Sequence, residues 1–262
     1  MGSDPKRARK GPPRSDASHN DPHRNEIRKK SEKLVKETGI PHPLAWQVAR
    51  GDMTLNEVLQ KLALKDKVES LIRRHDLPSS LATQVAKGQA DLEQVLVKRR
   101  LEAHLEQWRS HSMLVSAAAH GRPVTLALHG QRWVTGVVEA VEQYEFVFLE
   151  DGAEASERIH KLQAKLGCEA EHARALRRAI KKDKDRDAVT EPVWKPQDRY
   201  GCSDKRLFGY LDAARAVRVT TLEGEVVSGD LQWMGRWEVG LRLKKGEPVT
   251  VFRHAIADLR AA

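Results

Sequence analysis

Cations and aromatic rings, rather than nucleophiles or metal ligands, are the side chains with chemical potential in this sequence. A phosphate cradle needs a Gly-rich loop ending in Gly-Lys-Ser/Thr, and a thiolate zinc or redox site needs a CxxC pair. A zincin-type metallohydrolase needs two histidines around a general-base Glu in an HExxH run, and the sequence contains none of these three patterns. An enzyme is therefore the least expected class, and the sequence assigns no catalytic residue, cofactor or metal ligand. Cys168 and Cys202 are the only cysteines. They are too few for a disulfide framework and read as plain thiols of a reducing compartment. Isolated histidines such as His75, His104 and His172 read as surface or capping residues. What remains is charge: 46 Lys and Arg against 37 Asp and Glu give a net +9 and a pI near 9.6. Long-range attraction then favours anionic partners, nucleic acid first. Simple solubility is the competing explanation, because the two signs are mixed along most of the chain.

The elements that must position such groups fall into five stretches. Residues 1–24 are polar and basic with almost nothing to bury, which predicts a disordered arm. Its Lys6, Arg7, Arg9, Lys10 and Arg14 offer loose phosphate contacts or mere solubility. Residues 25–109 predict a helical domain with a two-copy repeat, because IPHPLAWQVARGDMTLNEVL from Ile40 matches LPSSLATQVAKGQADLEQVL from Leu77. Each copy has Pro at a helix start, Gly at its end, and a longer helix beginning near Thr54 or Asp91. From Pro123 the period changes to alternation punctuated by Gly130, Gly136 and Asp151-Gly152, which predicts consecutive antiparallel strands in a domain spanning 110–167. A charged helix from Glu169 and a Pro-containing linker are expected over 168–202. A second strand-rich domain follows over 203–262, opened by a short helix near Asp204 to Ala214. No apolar run is long enough to cross a membrane, and a cytoplasmic location without membrane association is expected.

Both strand-rich stretches, a helix followed by five short bent strands with Gly in the second, resemble the Sm-like family, small barrels of the SH3 type. The second copy is similar to its bacterial RNA-chaperone branch, Hfq, through FRHAIADL from Phe252, where Arg253 stands at the Lys position and His254 at the His. EGEVVSGDLQWMGRWEVGL from Glu223 resembles the strand pair carrying the Asp-Gln-Phe turn, with Trp237 in the aromatic slot and Arg236 in the Gln slot. In the first copy Glu142, Gln143 and Tyr144 fit that turn. There RIHKLQAKL from Arg158 sets Ile159, His160 and Lys161 against the aromatic, Lys and His, an inverted basic pair.

The resemblance implies an α+β chain with N-terminal helical hairpins and two five-stranded barrels, acting as a non-enzymatic RNA chaperone or post-transcriptional regulator. Tyr144 and Trp237 would stack bases of single-stranded, U-rich RNA, and Gln143 would hydrogen-bond a uracil edge. Arg236 would add charge, while His160, Lys161, Arg253 and His254 would meet phosphate or sugar oxygens. It also implies a homo-oligomer, with three chains forming a six-barrel pseudo-ring, although a dimer or a monomer with its barrels paired internally is compatible too. Arg174, Arg177, Arg178, Lys181 and Lys182 would be a phosphate track or a solvated helix face. Ala127 and Thr220 replace the Tyr with which the family binds A-rich RNA, so that activity is not expected. The rival reading is an oligomeric interaction scaffold, whose barrels assemble and whose helical repeats recruit a protein partner. DNA binding by the hairpins is weaker, since their second helices lack clustered Arg, Asn or Gln at the N-terminal end.

Overall fold

The structure, a computed structural model, describes residues 22–183, 189–199 and 201–262. The five basic residues of the expected arm lie outside the described residues, whereas Pro22–Arg24 already belong to a helix. The chain divides into two compact units at Val95/Leu96. This boundary falls inside a helix, ahead of the expected edge of the helical domain at residue 109.

The first unit holds α1 (Pro22–Thr38), α2 (His42–Arg50), α3 (Leu55–His75), α4 (Ser79–Ala86) and the first turn of α5 (Leu92–Gln107). Start and stop signals recur in register. Pro41 and Pro78 cap α2 and α4 in the same extended conformation. Gly51 and Gly88 follow those helices at φ 80° and 72°, the left-handed region that a side chain would strain. Thr54 and Glu57 then form a reciprocal capping box on α3, and Asp91 Oδ1 accepts the Gln94 N–H at 2.8 Å on α5. Ala45 and its repeat counterpart Ala82 are both fully buried. The shared sequence thus encodes shared packing, with Ile40, Ala45 and Val58 at the centre of one cluster.

The second unit is the remainder of α5, then α6 (Met113–His120), β1 (Pro123–Leu128), β2 (Trp133–Val141), β3 (Glu145–Glu150), β4 (Glu157–His160), β5 (Ala164–Glu169), α7 (Ala173–Ala179) and β6 (Lys181–Lys182). It continues with α8 (Asp204–Asp212), β7 (Ala216–Thr221), β8 (Glu225–Met234), β9 (Glu238–Arg242), β10 (Pro248–Phe252) and β11 (Ile256–Ala261). The fold is α+β, with helices preceding an eleven-stranded antiparallel sheet in the order β11-β7-β8-β9-β10-β5-β1-β2-β3-β4, β6 pairing β8 off this path. Two differences from expectation stand out. The charged helix shrinks to α7, because Glu169 ends β5 and Lys181–Lys182 pair with Glu225 and Val226. Nor does either five-stranded set close on itself by hydrogen bonding. The open edge of β5 is instead taken by β10, with Thr250 opposite Gly167 and Val251 opposite Leu166, and satisfying that edge from the second set joins the two ladders.

Both halves nonetheless repeat one plan: helix, then five strands ordered fifth-first-second-third-fourth. Gly136 and Gly229 occupy the same place in the second strand, opposite Val124 and Val217. A Cβ on Gly136 would lie 2.0 Å from the Leu149 carbonyl oxygen, and one on Gly229 would lie 2.5 Å from that of Arg242. Strand contact at that bend therefore requires glycine.

The halves share their interior. Ala127, Leu166 and Cys168 of the first pack into the cluster built by Val219, Leu241 and Val251 of the second. Phe252 of the second sits in the core around Phe146 and Phe148 of the first. Glu238, buried on β9, crosses the junction to cap α6: its carboxylate accepts the Ser112 hydroxyl at 2.6 Å and the Met113 N–H at 2.7 Å. Lys165, fully buried on β5, donates to Glu223 at 2.6 Å and Glu225 at 2.7 Å. Glu223 also accepts the Gly130 N–H at 2.7 Å, and Thr221 donates to Glu225 at 2.6 Å.

Candidate nucleic-acid interface

The loop between the second and third strands is three residues long in each half, and the two loops are built alike. Glu142 N–H donates to Glu145 O at 2.9 Å, and Gly235 N–H to Glu238 O at 2.8 Å. A cation from the end of the fourth strand then ties each loop. Lys161 N–H donates to Tyr144 O at 2.8 Å while its ammonium donates to Glu142 O and Gln143 O. Arg253 N–H donates to Trp237 O at 2.9 Å, and its guanidinium to Gly235 O at 3.0 Å and Arg236 O at 3.3 Å. With the loop carbonyls taken up this way, the aromatic residue is held outward: Tyr144 is 63% exposed and Trp237 51%.

This arrangement corrects the register assigned to the first copy. His160 pairs with Glu145 as Phe252 pairs with Glu238, so His160 is the counterpart of Phe252, Lys161 of Arg253, and Leu162 of His254. The basic pair is not inverted, and the first half has no histidine at that position. The roles of the cations change as well. Arg253 is only 6% exposed and also donates to Asp204 at 2.6 Å, so it braces the loop and the start of α8 instead of standing in solvent for a phosphate. Burial lowers the Lys161 ammonium from its ordinary range, with Glu238 pulling it back up.

His254 is likewise interior. Its Nε2–H donates to the Ala164 carbonyl at 2.8 Å across the junction, and burial pushes it down to about 4 against the pull of that hydrogen bond. It is therefore neutral at physiological pH. His160 is half-buried and held low by burial. Its Nδ1 accepts the Leu162 N–H at 3.1 Å.

The groups presented outward are Gln143 with Tyr144 and Arg236 with Trp237. Gln143 Nε2 donates to the Tyr144 hydroxyl at 2.9 Å, and the Arg236 guanidinium lies 4.7 Å above the Trp237 ring. Trp237, Arg236 and Arg253 line a cavity of about 910 Å³, together with Arg109 and Arg199 and the acidic Glu102, Glu106 and Asp204. Sequence reasoning missed Arg109, Arg199 and Trp194. Trp194 is 51% exposed and lies edge-on to His160, ring centres 5.0 Å apart. A lone tryptophan in a polar linker was the available signal for it. The five residues of the expected phosphate track are all exposed; among them Arg177 lies over Trp133 at 5.1 Å and Lys182 donates to Glu223 O at 2.7 Å.

No family model, curated protein or solved structure matches this chain. Among the described residues, no helix is long and apolar enough to cross a membrane.

Proposed function

We propose that this protein is a non-enzymatic binder of single-stranded RNA built on two Sm-like halves of the Hfq type. The observation carrying the proposal is the pair of equivalent loops, each with a braced backbone and an outward aromatic beside an amide or guanidinium. Single-stranded RNA is read by stacking unpaired bases on such rings and by hydrogen bonds and charge at their edges. The strand order of each half, and the pairing of a fourth strand with a neighbouring fifth, support the Sm-like reading. That edge pairing is how such barrels join in rings. Gln143 at one loop and Arg236 at the other give the two sites different chemistry, a uracil edge against stacking and charge.

In this reading the contact that Sm-like subunits make between chains is made here within one. The remaining edges, β4 and β11, are where further copies would pair, and three chains would complete six halves. A specific observation favours the chain that stays single. Arg206 donates to Leu259 O on β11, and the backbone at Gly201 lies against the Ile256 and Ala257 carbonyls, so that edge is already partly covered. The helical repeats are left as a place for a protein partner.

The test is titration of labelled U-rich, A-rich and mixed single-stranded RNA into the protein and into a Tyr144→Ala, Trp237→Ala variant at two salt concentrations, with light scattering for the oligomer. Each lost stack is worth about 1–3 kcal/mol, so the folded variant should bind U-rich RNA at least tenfold more weakly. Weak, wholly salt-driven binding that ignores the substitutions would sink the proposal and leave the interaction scaffold in its place.

A further inference from the structure

Between β6 and α8, residues 193–199 and 201–203 reach both loops. At one end Trp194 meets His160, the last residue of β4 and the one before Lys161, the brace of the Tyr144 loop. Arg199 folds the segment back on itself, its guanidinium donating to Val193 O at 3.1 Å and to Trp194 O. The same arginine lines the cavity at Trp237. At the far end Arg253, the brace of the second loop, donates to Cys202 O at 3.4 Å. The segment is thus moored to both halves and carries a half-exposed indole next to one loop and a guanidinium next to the other. A tryptophan held half out of the surface with its backbone fixed from both sides gains little from burial. It has the rigidity and the free area of a stacking platform.

We propose that residues 193–199 form a strap that merges the two loop sites into one track, with Trp194 stacking a base between those held at Tyr144 and Trp237 and Arg199 meeting the intervening phosphate. The ligand is a single RNA strand long enough to pass all three rings, so this inference rests on the RNA-binding reading above. A strand that filled one loop alone would not touch the strap, and the strap's contribution therefore depends on length. Removing one stack weakens binding by roughly five- to 150-fold.

Trp194→Ala and Trp194→Phe, each checked for an unchanged melting temperature, are titrated with oligouridylates of about three and about twelve nucleotides beside the Tyr144→Ala, Trp237→Ala variant. The expected result is that Trp194→Ala weakens the long strand at least fivefold and the short one less than twofold, and that Trp194→Phe restores most of the loss. If the long strand binds Trp194→Ala as it binds the unaltered protein while the double loop variant has lost affinity, the strap is not part of the track and the loop sites stand. Equal losses on both lengths would also overturn the strap, since its effect would then be local to one loop. If the double loop variant binds as well as the unaltered protein, the RNA-binding reading itself fails and the strap with it.

Discussion

Lys165→Met is the sharpest test of how the two halves are held together. The ammonium lies 2.6 Å from Glu223 and 2.7 Å from Glu225, and the three side chains are 0%, 0% and 9% exposed. Deleting the cation strands two carboxylates in the interior. Breaking a buried ion pair from one side costs about 3–5 kcal/mol. For a unit the size of Leu96–Ala262 each kcal/mol moves the melting temperature by about 2–4 °C, so the variant should melt roughly 6–20 °C lower. The assay is urea and thermal unfolding at neutral pH, followed by the fluorescence of Trp108, Trp133 and Trp233. A companion variant, Lys165→Met with Glu223→Gln and Glu225→Gln, removes the stranded charges while keeping acceptors for the Gly130 N–H and the Thr221 hydroxyl. It should recover most of the loss, because well-satisfied neutral groups replace an ion cluster at little net cost. A single variant within about 1 kcal/mol of the unaltered protein, the range of an exposed pair, would refute the reasoning. A triple variant no better than the single would do the same.

Two further perturbations probe the same unit. His254 is held down to about 4 in the fold against about 6.5 in an unfolded chain. The unfolded state therefore binds the proton first, and the stability present above pH 6.5 is lost as pH falls toward 4, by about 1.4 kcal/mol per unit. His254→Gln, which keeps a donor for Ala164 O, should flatten urea stability across that window by on the order of 3 kcal/mol, and identical pH trends in the two proteins would count against it. Gly240→Ala would set a Cβ 2.0 Å from Trp233 Nε1, so the indole must leave its stack on Trp108, where the ring centres are 5.5 Å apart. A destabilisation of about 1–3 kcal/mol with a shifted tryptophan emission is expected, and unchanged emission would show that the stack survives.

Much of the architecture was legible because it is written in local signals. The prolines and glycines at Pro41, Gly51, Pro78 and Gly88 are helix punctuation that any context reads the same way, and alternation from Pro123 marks strands through burial of one face. The loops bearing Tyr144 and Trp237 were marked by their resemblance to the Asp-Gln-Phe turn of Hfq. What the sequence hid is what depends on partners far along the chain. The pairing of β10 with β5 is a meeting of two unsatisfied edges, and no periodicity records which edges meet. The register of His160 and Lys161 slipped by one because RIHK offers two basic residues in a row, and only the pairing of His160 with Glu145 fixes which of them braces the loop. Arg253 and His254 read as ligands through the resemblance of FRHAIADL to the Hfq stretch, and basic residues ordinarily sit at the surface. Their burial depends on carbonyls at Gly235, Arg236 and Ala164, which sequence alone does not bring near.

Lys165 also bears on the chain while it is being made. β5 is complete long before β10 exists, and its partners Glu223 and Glu225 lie 58 and 60 residues further on. Until they emerge from the ribosome, AKLGCE would be a bare apolar strand edge, open to any other nascent chain. A lysine at the second position of that strand makes such a false partner unfavourable, since pairing with it would bury an unmatched charge. The same residue that anchors the finished junction thus guards the unfinished one, and the guard is lifted only when two carboxylates of its own chain arrive.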